Sequence, residues 1–222
     1  MPAIQEVRHG RPERYRIPAE TAQSELEIKN SLFIGTVGHA ADVEAATAFV
    51  ERVRTEYADA THNAWAYRID DGPHGLCGFS DDGEPGGTAG RPMLSVLEGS
   101  ELLEVVAVVT RYFGGIKLGA GGLVRAYSAA VREAVHNLAT VECVLHRLAR
   151  IEVDYGLYGH LQYLLPRYEV IIEQPSFSDR VTLDIAVPYT KLAEVAELLR
   201  ERTNGQLRLD EHWVGERYVL NP

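Results

Sequence analysis

Thr21–Lys29, where apolar and polar positions alternate, and Ser31–His39 read as two strands joined at a turn marked by Asn30. The period then changes. Val43, Ala46, Val50, Val53 and Tyr57 recur at spacings of three and four, predicting a helix over Asp42–Tyr57 with Asp42 as its N-cap. Ala64–Ile69 reads as a strand, Asp70–Gly78 as a loop, and Arg91–Glu98 as a short helix with Pro92 in its first turn. Leu102–Tyr112 has a continuous apolar middle, the pattern of a central strand covered on both faces. Leu123, Tyr127, Ala130, Ala134 and Leu138 line one face of a second long helix, Leu123–Leu138. Residues 1–13 are polar and read as a loose end.

The pattern changes character from Leu145 onward. It predicts a strand (Leu145–Asp154), a helix (Tyr158–Leu165), two strands (Tyr168–Gln174 and Arg180–Val187), a helix (Thr190–Thr203) and a final strand (Gln206–His212). This βαββαβ order is that of a ferredoxin-like domain. The class is α+β, with an N-terminal domain over residues 1–140 and a C-terminal one over 141–222.

A chain of 222 residues, 45% hydrophobic and 24% charged, has room for two such cores. Its net charge of -10 is spread over both halves and argues against a surface that binds nucleic acid everywhere. A local basic site is compatible with that charge. Cys77 and Cys143 are too few for a disulfide framework, and no CxxC pair offers a zinc site. Two reduced thiols, with no disulfide partner and no apolar leader at the N-terminus, point to the cytoplasm. The longest strongly apolar run, Val105–Val109, falls far short of the ~20 residues a membrane helix needs.

Candidate chemistry concentrates where glycine does. Ten of the 20 glycines lie between Gly83 and Gly122. At the start of that stretch, Asp81, Asp82 and Glu84 fall within four residues. Brought together, three carboxylates would share raised pKa values and serve acid–base work or bind Mg²⁺; kept apart, they are a solvated turn built by Gly83 and Pro85. His62 is a further candidate base or ligand, or a structural strand-edge histidine.

The second part runs from Arg111 through Gly114, Gly115, Lys117, Gly119, Gly121 and Gly122 to Arg125, ending one strand and opening a helix. Between Ala107 and Arg132 every charged residue is basic. Helix-start N–H groups with adjacent cations suit a phosphate, an RNA backbone or an acidic partner. Nucleotide fingerprints fail here: Lys117 is followed by Leu118, and position 124 is Val. No nucleophile–base pair is readable either, so a general nuclease or peptidase is not expected. Opposite charge predicts that Asp81, Asp82 and Glu84 share a cleft with Arg111 and Lys117.

Four blocks together, SLFIG at Ser31–Gly35, DATHNAWAYRI at Asp59–Ile69, SDDGEPGGTAGRPML at Ser80–Leu94 and VVTRYFGGIKLGAGGLVRAYSAAV at Val108–Val131, resemble the signatures of the IMPACT (YigZ-type) family. The resemblance implies an N-terminal domain with a ribosomal-protein domain-2-like β-α fold, and a C-terminal domain similar to the last domain of the translocating elongation factor. It also implies regulation of translation, with the ribosome, RNA or a translation factor as partner. Family members often carry cysteine where this chain has Ala64, so a thiol mechanism there is not open to it. Three readings follow: a translation-associated binding protein with an anion contact at the glycine-rich turn; a Mg-dependent hydrolase or phosphotransfer enzyme using Asp81, Asp82, Glu84 and His62; and a protein-interaction scaffold. The first needs no cofactor and no catalysis.

Overall fold

The computed structural model describes residues 12–69 and 75–221. The chain divides into two compact units, with the break between Glu142 and Cys143. Both are mixed α and β.

The first unit is built on a five-stranded antiparallel sheet of β2 (Ala22–Ile28), β3 (Ser31–His39), β4 (His62–Arg68), β5 (Cys77–Ser80) and β6 (Val105–Tyr112), in the order β2-β3-β6-β4-β5. Strand β6 is central because its side chains are apolar in both directions: Val105, Ala107 and Val109 enter one core, Val106 and Val108 another. Helix α1 (Val43–Glu56) covers the second face. Helices α2 (Gly90–Gly99) and α3 (Ala120–His136) cover the first face, and the α3 stripe of Leu123, Tyr127, Ala130 and Ala134 is buried there, as its spacing predicts. Strand β3 carries Gly35 where α3 crosses. A Cβ on Gly35 would stand 2.6 Å from the Ala130 carbonyl oxygen, so only glycine lets the helix lie so close.

Several expectations for this unit need correction. Val43, the first helical residue, is 37% exposed, and Phe49 is buried in the α1 stripe instead. A strand β1 (Arg14–Pro18) follows directly on the predicted loose end, with Tyr15 and Ile17 buried. The predicted loop Asp70–Gly78 ends in β5, and its residues 70–74 lie outside the described ones. The second long helix begins at Ala120, three residues before Leu123, so Gly121 and Gly122 belong to its first turn.

The second unit contains most of β7 (Thr140–Val153), then α4 (Tyr155–Leu164), β8 (Ile171–Ile172), β9 (Ser176–Phe177), β10 (Val181–Pro188), α5 (Leu192–Arg202) and β11 (Trp213–Asn221). Strand β10 pairs antiparallel with β7 from Val181 opposite Val153 to Pro188 opposite His146; β8 and β9 also pair with β10, and β11 pairs with β7. Alternate residues Leu183, Ile185 and Val187 meet Val195 and Leu199 of α5 in one core. The predicted last strand Gln206–His212 is instead a loop and a 3₁₀ turn (Leu209–Glu211), and the strand comes after it. Leu207 and Leu209 are both buried, which imitates strand alternation. The predicted strand Tyr168–Gln174 shrinks to Ile171–Ile172 because the chain is still in a 3₁₀ turn at Tyr168. Among the described residues no helix is long and apolar enough to cross a membrane.

Candidate functional site

One rung of the first sheet assembles the site. Phe33 of β3, Arg111 of β6 and His62 of β4 are direct cross-strand neighbours. Tyr127 arrives from α3, its ring edge-on to Phe33 at 5.4 Å between centroids. Glu84 comes from the acidic loop between β5 and α2. Its carboxylate accepts from Arg111 Nη1 at 2.5 Å and from the Tyr127 hydroxyl at 2.7 Å, and its side chain is only 3% exposed. Arg111 also lies over Phe33 and Phe113, 5.4 and 5.3 Å from their centroids. Its Nε is buried with no hydrogen-bond partner among the described residues. Burial, and then the Glu84 carboxylate, push the Tyr127 hydroxyl far above its ordinary pKa, so it donates and stays neutral.

His62 completes the cluster from its edge. Its Nδ1 lies 2.7 Å from the backbone carbonyl of Asp82. A carbonyl only accepts, so Nδ1 carries a proton and Nε2 is the nitrogen left over. That Nε2 stands 4.0 Å from Glu84 Oε2, beyond hydrogen-bond reach.

The three carboxylates therefore diverge. Asp81 caps α2, accepting from the backbone N–H of Gly87 at 2.8 Å and of Ala89 and Gly90 at 2.9 Å each. Burial raises its pKa, but the three backbone donors outweigh that and leave it lowered. The raised values that carboxylates brought together would share are therefore not seen at Asp81. Asp82 accepts from Arg54 of α1 at 2.8 Å and from the backbone N–H of Asn63 at 2.6 Å. Glu84 meets Arg111, but none of the three carboxylates bonds to Lys117. Among the described residues no group of three His, Cys, Asp or Glu side chains is placed to hold a metal. A Mg²⁺ site on this loop lacks its convergent ligands.

The glycine-rich turn is built differently. Gly114 is required by contact: a Cβ there would stand 2.0 Å from the Asn30 carbonyl oxygen. Gly115 and Gly119 have φ of +86° and +70°. A Cβ on Gly122 would come within 2.9 Å of Leu118 Cβ. Gly121 alone has neither reason, since only Arg125 Nη1, at 3.8 Å, comes near. Helix α3 starts with no side-chain cap and no acid in its first turn. By contrast, Asp42 caps α1, Asp81 serves α2, Asp154 caps α4, and α5 has Glu194 in its first turn. Among the described residues, Lys117 and Arg125 make no hydrogen bond or ion pair. Phe113 and Ile116 on the same turn are 46% and 48% exposed.

Arg54, Asn63 and Tyr127 were not singled out as site residues from the sequence. Tyr127 did carry a signal, because a tyrosine inside an apolar helical stripe must find a partner for its hydroxyl.

The signature residues lie in the span, residues 29–135, that matches the model of the Impact N-terminal domain; residues 151–206 match a domain of unknown function, DUF1949. An IMPACT family member of Haemophilus influenzae is 38% identical over 203 residues, covering 91% of this chain and 98% of that one. The chain belongs to the IMPACT family. Another member, YigZ of Escherichia coli, is 42% identical over 199 residues, 89% of this chain and 97% of YigZ. The crystal structure of a hypothetical protein, 40% identical, aligns with a TM-score of 0.60 over 89% of this chain and 96% of its own. The buried rung and the acidic loop are thus features of a family member whose matches run nearly the full length of its relatives.

Proposed function

We propose that this IMPACT family protein is a translation-associated regulatory binding protein that holds an anion, an RNA or ribosomal phosphate, at the start of α3. The observation that carries the reading is the bare helix start. The first N–H groups of α3 have no intrahelical partner, the helix dipole favours negative charge there, and α3 has neither a side-chain cap nor an acid in its first turn. Lys117 and Arg125 add full charge beside it, and Gly121 keeps side-chain bulk away. The cytoplasm, where ribosomes and reduced thiols are found, is the compartment this reading requires. We read the second unit as ferredoxin-like, since its strands run in the order β11-β7-β10-β8, and the first as the ribosomal-protein-like fold that family resemblance implies. The Mg-dependent hydrolase reading is disfavoured because Asp81, Asp82 and Glu84 each serve a different part of the protein.

The test is a salt-dependent titration of the full chain with short RNA and with inorganic phosphate. Lys117→Ala is expected to weaken binding by about 1–2 kcal/mol, as for one charge-assisted hydrogen bond. The loss should be similar for all RNA sequences, because phosphate contacts position without specifying. Absence of binding at low salt, or a mutant that binds like wild type, returns the turn to a purely structural role and favours the scaffold reading.

A further inference from the structure

We propose a second binding site, in the second unit, for a phosphorylated, hydroxyl-bearing small molecule of nucleotide size. A cavity of about 500 Å³ lies where the end of β7, the start of β10 and the end of α5 come together, within the range of small-molecule sites. Three guanidinium groups line it: Arg150 of β7, Arg180 just before β10 and Arg202 at the end of α5. Arg150 is engaged by its cross-strand neighbour Asp184, at 2.7 and 2.9 Å, and Arg180 donates to the backbone carbonyl of Glu152 at 3.2 Å. That bond leaves most of the Arg180 donors unused. Arg202 and the His212 ring have no bonding partner among the described residues. Guanidinium groups arriving from separate elements suit an anion with several acceptor oxygens, which phosphate offers.

Two carboxylates also line the cavity, and they divide the site. Asp154 is engaged in capping α4, accepting from Leu157 N–H at 2.7 Å. Glu152 has no side-chain partner among the described residues. A carboxylate only accepts, so the exposed Glu152 can take hydroxyl donors of a ligand and repels a second anion. Val153, buried in the core, and Leu207, 6% exposed, form the apolar floor for a carbon skeleton. Phosphate at the arginines, hydroxyls at Glu152 and a carbon framework between them define the ligand class. The site does not depend on the reading of α3.

Adenosine monophosphate, adenosine and inorganic phosphate, titrated into the full chain by calorimetry at low ionic strength, test this. Adenosine monophosphate should bind saturably and more tightly than inorganic phosphate, with adenosine weaker still. Arg180→Gln and Arg202→Gln replace exposed side chains and should each raise the dissociation constant about tenfold, as expected for a lost bond to a charged group. Lys117→Ala should leave it unchanged. No saturable binding at millimolar nucleotide overturns the site, as does wild-type affinity in both arginine variants. A loss in Lys117→Ala equal to that in the arginine variants would place the nucleotide at α3 instead and also overturn it.

Discussion

Two loops of the first unit carry nearly all of its conspicuous residues, and they differ in whether their polar groups are satisfied. The acidic loop is closed on itself: Asp81 serves α2, Asp82 serves α1 and β4, and Glu84 reaches the buried rung. The glycine-rich turn is open, with an uncapped helix start and two cations that bond to nothing among the described residues. A dense cluster of charge therefore marks architecture in one loop, while in the other it stays unpartnered among the described residues, which supports the anion contact proposed above. Residue types alone do not separate the two cases; the location of each group's partner does.

The comparison breaks most visibly at Glu84. Its removal leaves Arg111 charged, 5% exposed and without its carboxylate. Glu84→Ala should lower stability by about 3–5 kcal/mol, the cost of orphaning one half of a buried pair. Urea unfolding measures this. A loss under about 1 kcal/mol would mean that the acidic loop is not a strut, and would reopen its chemistry. Asp81→Ala should cost about 1–2 kcal/mol, as for a lost helix cap. Because the folded Asp81 has a lowered pKa, its stabilisation is complete above the unfolded value of about 4 and is lost as the pH falls through the folded value. The gap between wild type and Asp81→Ala should thus be widest near neutrality and close below about pH 4. A gap that stays constant down to pH 2 would remove the charge from the explanation.

The legible part of the molecule was what local period encodes. The α3 stripe, Asp42 as the α1 cap and the doubly covered β6 follow from spacing alone. The elements that were missed obey the same physics in disguise. In β1 the buried Tyr15 and Ile17 alternate with arginines and end on Pro18, so the run is too short and polar to stand out. Leu207 and Leu209 alternate as a strand does while lying in a loop, which displaced the last strand by several residues. The fate of the carboxylates was not legible because their partners are distant in sequence: Arg111 is 27 positions from Glu84, Tyr127 43, and Arg54 28 from Asp82. The sheet register, which sets His62 beside Arg111, and the packing of α1 and α3 on the two faces of that sheet bring them together.

The smallest expected effect separates the two loops most cleanly. Gly121 sits in the first turn of α3, where a Cβ would meet only Arg125 Nη1, in ordinary van der Waals contact at 3.8 Å. Glycine inside a helix is less stable than alanine by roughly 0.5–1 kcal/mol, and nothing around Gly121 compensates. Gly121→Ala should therefore raise stability by about that amount, partly by restricting the unfolded chain. Gly122→Ala, one residue on, should do the reverse, since its Cβ would meet Leu118 Cβ at 2.9 Å. If the turn receives a phosphate, the added methyl group at position 121 stands beside the N–H groups that the anion must approach. Affinity for inorganic phosphate or short RNA should then fall several-fold as stability rises. Opposite signs in the two measurements cannot come from a damaged fold. A Gly121→Ala protein that is more stable and binds as well as wild type would show that the glycine is not kept for a ligand, and the contrast between the loops would reduce to their charge.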